Sequence, residues 1–192
     1  YYNRGLNDSA ISLLEKIDGT KTMDPITRIW YAYISKDPKL LNSVETASID
    51  YSHPFRRETI STLEWAVNES SHWKLSFLLA LNLWAKDRNE DAWTLMKKLE
   101  DIPDSMPFYL SRSNLAETFG TKNNVEKDLR RSLDLGKDSW IAMMFAVQYF
   151  QTKGNWKTAE TISSQAYEKF PDNFNVRILH SKSLLYNNKI DE

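Results

Sequence analysis

Residues able to do acid–base or metal chemistry are few and scattered in this sequence. The three histidines, His53, His72 and His180, fall in separate segments. His53 and His72 stand beside helix-start signals, where a cap or turn role is the ordinary expectation. His180 falls on a face expected to pack between helices, and no carboxylate cluster accompanies it, so no metal site is expected. The carboxylate pairs Glu90-Asp91 and Glu100-Asp101 lie on polar helix faces or turns. General acid work needs a carboxyl held in an apolar pocket that raises its pKa, and these lack one in the pattern around them. Glu126-Lys127-Asp128 with Arg130-Arg131 reads as a mixed-charge helix face and not as a basic stripe for phosphates. Cysteine is absent, which removes thiolate nucleophiles, disulfides and Cys-ligated metals together. The sequence carries no metalloprotease helix motif, phosphate-binding glycine loop or nucleophile elbow. No catalytic residue and no cofactor is therefore expected, and the chain is read as a non-enzyme.

Composition narrows the remaining classes. An apolar share of 41% with 27% charged residues describes a folded chain and not a disordered one. Five glycines and six prolines in 192 residues favour long helices over many turns and short strands. The 25 basic and 26 acidic residues alternate along the whole length, so no nucleic-acid partner is expected. The longest uncharged stretch, Ser139 to Thr152, falls short of the roughly 18 apolar residues of a spanning helix and reads as a buried helix; no membrane insertion is expected. No leader is visible at the N-terminus, and the first expectation for location is cytoplasmic.

The elements that would position any site are helical and repeat. In the segment Trp140 to Asn173, two apolar helical patterns flank Lys153-Gly154-Asn155, and the second carries Ala159, Ala166 and Pro171 at intervals of seven and five. This spacing resembles the tetratricopeptide repeat, a helix–turn–helix unit of roughly 34 residues. The register extends both ways. Ala92 pairs with Ala80 in a repeat starting at Trp73, and Ser113 and Ser132 take the small-residue places of a repeat starting near Met106. Starts at 73, 106, 140 and 174 are 33, 34 and 34 residues apart. The resemblance implies an all-α fold, an α-α superhelix of antiparallel helix pairs in a solenoid of tetratricopeptide type, spanning 1–192 as one domain. Near the N-terminus, Gly5, Ala10, Leu14 and Ile17 fit the second helix of a further unit. The last repeat stops short, so the chain reads as a piece of a longer protein.

Residues 1–72 fit the repeat less well and read as degenerate units. Asp24-Pro25 and Asp37-Pro38 are helix starts, since Asp caps free N–H groups and Pro suits the first helical turn. They predict short helices near 25–35 and 38–49, and Ser52-His53-Pro54 predicts another running to about Asn68. Across about Asp50 to Asn188, His53-Pro54-Phe55-Arg56-Arg57-Glu58, Leu63-Glu64-Trp65-Ala66, His72-Trp73-Lys74 and Pro107-Phe108-Tyr109-Leu110 also resemble the helical C-terminal half of certain large bacterial proteins. In those a mutarotase-like β-sandwich of uncharacterised function precedes the repeats. That resemblance implies a multidomain bacterial context concerned with carbohydrate.

In tetratricopeptide folds one face of each first helix lines a concave groove. By that resemblance the ligand-binding candidates are Lys74, Phe77, Leu81 and Trp84 from the first regular repeat. Leu110, Asn114 and Glu117 come from the next, and Met144, Gln148 and Gln151 from the third. The family's basic clamp for a peptide carboxylate needs lysine where this chain has Phe77, Leu110, Met144 and Ile178; Asn114 alone matches it. A carboxylate-terminated partner is therefore not expected. The expected function is a protein-interaction scaffold that uses the concave face to bind a protein or peptide. The alternative is a glycan-binding surface serving a carbohydrate-active domain elsewhere in the parent chain. Seven Trp, nine Tyr and eight Phe suit either reading, though solenoids also pack large aromatics, such as Trp73 and Trp140, between helices.

Overall fold

The computed structural model describes residues 5–18, 23–50 and 52–187. Ile17, one of the residues expected in a second helix near the N-terminus, lies outside those whose side chains are described. The described residues are helical, turn or irregular, with no strand among them. None of their helices is long and apolar enough to cross a membrane. The chain divides into two compact units, Tyr1–Pro103 and Asp104–Glu192.

The first unit contains α1 (Asn7–Asp18), α2 (Pro25–Ser35), α3 (Asn42–Glu45), α4 (Glu58–Glu69), α5 (Trp73–Trp84) and α6 (Asn89–Lys98). Local chemistry sets the start of α2. The Asp24 carboxylate accepts from the N–H groups of Ile26 and Thr27 at 2.9 and 3.2 Å, and Pro25 fills the first turn. The helix expected over 38–49 is broken: Pro38–Leu41 forms a 3-10 turn, and only Asn42–Glu45 is α-helical. The chain then turns at Ser48, whose hydroxyl donates to Asp50 and accepts the Asp50 N–H, a local bonding pattern that competes with the helix ladder. The helix expected after Pro54 begins only at Glu58. Ahead of it, the Arg56 carbonyl accepts from the buried Asn82 amide at 3.1 Å, which ties the segment down outside a helix.

Helix α5 is apolar nearly all round, the pattern of a buried helix. Leu75, Phe77, Leu78 and Ala80 are sealed, and α6 packs on α5 through Ala92 and Met96.

The second unit contains α7 (Met106–Phe119), α8 (Lys122–Leu135), α9 (Trp140–Thr152), α10 (Trp156–Lys169) and α11 (Phe174–Tyr186). Helices α5, α7, α9 and α11 begin at Trp73, Met106, Trp140 and Phe174, the residues from which the repeat register was counted. Within the second unit, α7 packs on α8, α9 on α10, and α11 on both α9 and α10. Four of these five helices start on a side-chain cap. Thr121 and Asn124 form a reciprocal capping box on α8, while Ser139, Asn155 and Asn173 cap α9, α10 and α11. The turn between α9 and α10 needs Gly154 in the left-handed region at φ +72, where a side chain would be strained. Ala146, Ala159 and Ala166 are buried where the pairs press together. Trp140, Met144, Leu133, Ile162 and Phe170 pack around the buried Met143, Ala166 and Val176.

Candidate functional site

The groove candidates meet different fates. Lys74 is engaged inside the first unit: its ammonium donates to the carbonyls of Glu45 and Ala47, both at 2.6 Å, and so holds the end of α3. Burial pulls its pKa below the usual lysine value, with Asp50 and Glu45 opposing. Phe77 is 0% exposed and offers a ligand no surface, a correction to its expected place in the groove; the all-apolar α5 sinks it in the core. Leu81 and Trp84 are half-buried. Leu110 is likewise buried. Gln151 is buried as well, and its amide donates to the Leu179 carbonyl and the Ser183 hydroxyl, each at 2.9 Å, bridging α9 to α11. Leu110 and Gln151 therefore serve packing where groove contact was expected. Met144 is half-buried against the core cluster.

Asn114, Glu117 and Gln148 do come together. They line a cleft of about 270 Å³ in the second unit, with Ser113 from α7, Val125 and Leu129 from α8, and Phe145, Tyr149 and Thr152 from α9. The floor is apolar and buried, made by Val125 and Leu129. Ser113 keeps the wall thin, and its hydroxyl is satisfied by donating to the Leu110 carbonyl at 2.8 Å. Thr152 likewise donates to the Gln148 carbonyl at 2.9 Å. The side chains of Asn114 and Gln148 stay open to solvent, and Phe145 is 43% exposed at the mouth.

Charge is confined to the rim. Lys153, just past the end of α9, reaches Glu117 on α7 at 3.3 Å and lies 5.4 Å from the centre of the Tyr149 ring. Burial raises the Tyr149 phenol pKa, and the carboxylates of Glu126 and Glu117 raise it further. Lys122 sits 3.6 Å from Glu126 one helical turn away.

Phe145, Tyr149, Val125 and Leu129 were not among the sequence candidates. Val125 and Leu129 belong to a second helix, whereas the candidates were drawn from first helices alone. The small Ser113, set by the repeat register, was the signal that space opens at that point.

Two of the three histidines, His72 and His180, have structural partners. His72 accepts weakly from the Lys74 N–H at 3.4 Å as the cap of α5, with burial lowering its pKa. His180 lies 3.2 Å from the Ser163 hydroxyl and stacks on Tyr167. This is not an activated nucleophile, because Ser163 is sealed and donates to the Glu160 carbonyl of its own helix. Among the described residues, no group of three or more metal-ligating side chains converges.

Comparison with known proteins agrees with this geometry at the level of fold. The chain is similar in structure to a thermophilic TPR protein of Thermus thermophilus. The TM-score is 0.58 at 19% sequence identity, over 96% of this chain and 93% of that one. No protein-family model matches the sequence. No curated protein is similar to it. The fold is therefore an all-α helical repeat of tetratricopeptide type.

Proposed function

We propose that the chain is a non-catalytic scaffold that binds a peptide segment of a partner protein, with the cleft between α7, α8 and α9 as a seat for it. The observation that carries this reading is the pairing of an apolar floor with two solvent-facing amides. Val125 and Leu129 can take an apolar part of a side chain, while Asn114 and Gln148 each offer a donor and an acceptor to a peptide backbone. The glycan alternative has no comparable support. Trp156 and Tyr186, stacked nearly parallel, each cover one face of the other at 4.3 Å.

Short random peptides displayed on phage, selected on the chain and counter-selected on an Asn114→Ala/Gln148→Ala variant, test the proposal. Both side chains are exposed, so the variant should keep its helical circular dichroism. Losing two backbone hydrogen bonds should weaken selected peptides roughly tenfold or more. Peptides that bind both forms equally would remove the cleft from the function.

A further inference from the structure

Lys153 shows how this cleft receives a cation. Its ammonium sits between a carboxylate and an aromatic face, 3.3 Å from Glu117 and 5.4 Å from the centre of the Tyr149 ring. Those are the two kinds of group that best hold an ammonium or guanidinium at a partly wet site. Lys153 is not one of the side chains lining the cleft; its head group reaches the rim from the turn after α9. The arrangement is loosely held, since the two side chains remain 46% and 44% exposed. Exposed pairs of this kind are weak, so an incoming cation can readily take the place of Lys153.

The surroundings favour the same sign. Glu117 and Tyr149 both line the cleft, and beyond the effect of burial the carboxylates of Glu126 and Glu117 raise the Tyr149 phenol pKa. Glu126 has Lys122 beside it at 3.6 Å, a lysine whose side chain is 73% exposed, so water screens that pair. Below the rim, Val125, Leu129 and Phe145 give an apolar wall along which an alkyl stem can lie.

We infer that the anchor this cleft prefers is a basic side chain, lysine or arginine, of the partner peptide, and that Lys153 holds that seat in the unbound chain. The inference rests on the peptide-binding reading above. On binding, the ligand's cation exchanges with the Lys153 ammonium at Glu117, and the freed Lys153 returns to water. Asn114 and Gln148 are then left to bond the ligand's backbone. An acidic anchor would meet Glu117 and Glu126 and be rejected.

The side-chain amide signals of Asn114 and Gln148 in nitrogen–proton correlation spectra report occupancy directly. The probes are N-acetyl-lysine methylamide, the isosteric but uncharged N-acetyl-norleucine methylamide, and N-acetyl-glutamate methylamide. The lysine probe should shift both amides in the wild type. It should bind roughly threefold to tenfold more tightly to Lys153→Met, which keeps the stem and removes the competing charge. Glu117→Gln should abolish its advantage over norleucine. Equal binding of lysine and norleucine to Lys153→Met would overturn the cation preference and leave the peptide-binding cleft standing. Equal affinity of the lysine probe for wild type and Lys153→Met would overturn the role of Lys153 as competitor. If none of the three probes moves the amide signals of Lys153→Met, the cleft itself is not a binding site and both readings fall.

Discussion

Between α7 and α8 the otherwise apolar interior holds a buried ion pair. Arg112 and Asp128, nearly sealed from water, meet through two hydrogen bonds of 2.7 Å, and the guanidinium lies 4.9 and 5.2 Å from the ring centres of Phe108 and Tyr109. Ser113 and Ser132 line the same pair, each returning its hydroxyl proton to a carbonyl three residues back. Between α9 and α10 the interior is small and mostly apolar, with Ala142, Ala146, Val147, Ala159 and Ala166 all buried. Both pairs form the same helix–turn–helix, so the fold accepts either solution, but the two carry different risks. Removing two charges from water costs several kcal/mol, recovered only while both partners stay in place. An alanine interface carries no such penalty and fails by overfilling instead.

The largest expected effect breaks the polar pair. Asp128→Ala leaves the Arg112 guanidinium buried without its carboxylate and should lower stability by about 3–5 kcal/mol in urea unfolding. Replacing both partners, Arg112→Met with Asp128→Leu, sharpens the point, because the double variant should recover most of that loss. A double variant as unstable as Asp128→Ala would mean that the ion pair is needed for more than mutual neutralisation. Next in size, Ala159→Leu overfills the α9–α10 interface and should cost about 1–3 kcal/mol by the same measurement. Wild-type stability would show that the interface has room that the closeness of the helices does not suggest. The smallest effect is expected at the turn of that pair. A Cβ on Gly154 would meet nothing within 4 Å, so Gly154→Ala tests backbone strain alone and should cost about 1 kcal/mol. An unchanged thermal midpoint would show that the turn relaxes out of the left-handed region.

The polar pair also explains one limit of the sequence reading. Glu126-Lys127-Asp128 with Arg130-Arg131 looked like one solvated face, yet Asp128 is buried on Arg112. Arg131 instead lies 3.4 Å from the exposed Asp104. A helical residue's burial depends on which neighbour covers its side, and a run of charges does not encode that. The same limit applied to the groove candidates. The repeat register places Phe77, Leu110 and Gln151 on a helix face, but whether that face is covered is a property of the neighbouring helices. Asn114, Glu117 and Gln148 stayed exposed at the cleft, where the small Ser113 leaves room.

The sequence alone determined most of the helices and, in the regular repeats, the residues at which the first helix of each pair starts. Capping and turn chemistry act within a few residues: Asp24 on Ile26 and Thr27, Asn155 on Thr158, Asn173 on Asn175 and Val176. The spacing of small residues then set which helices could approach closely. Only the tertiary structure decided which polar side chains would be consumed. Lys74 bonds the carbonyl of Ala47, 27 residues away, and Gln151 bonds Ser183, 32 residues away. Those partners meet because helices pack, and a local pattern cannot report a contact made across that distance.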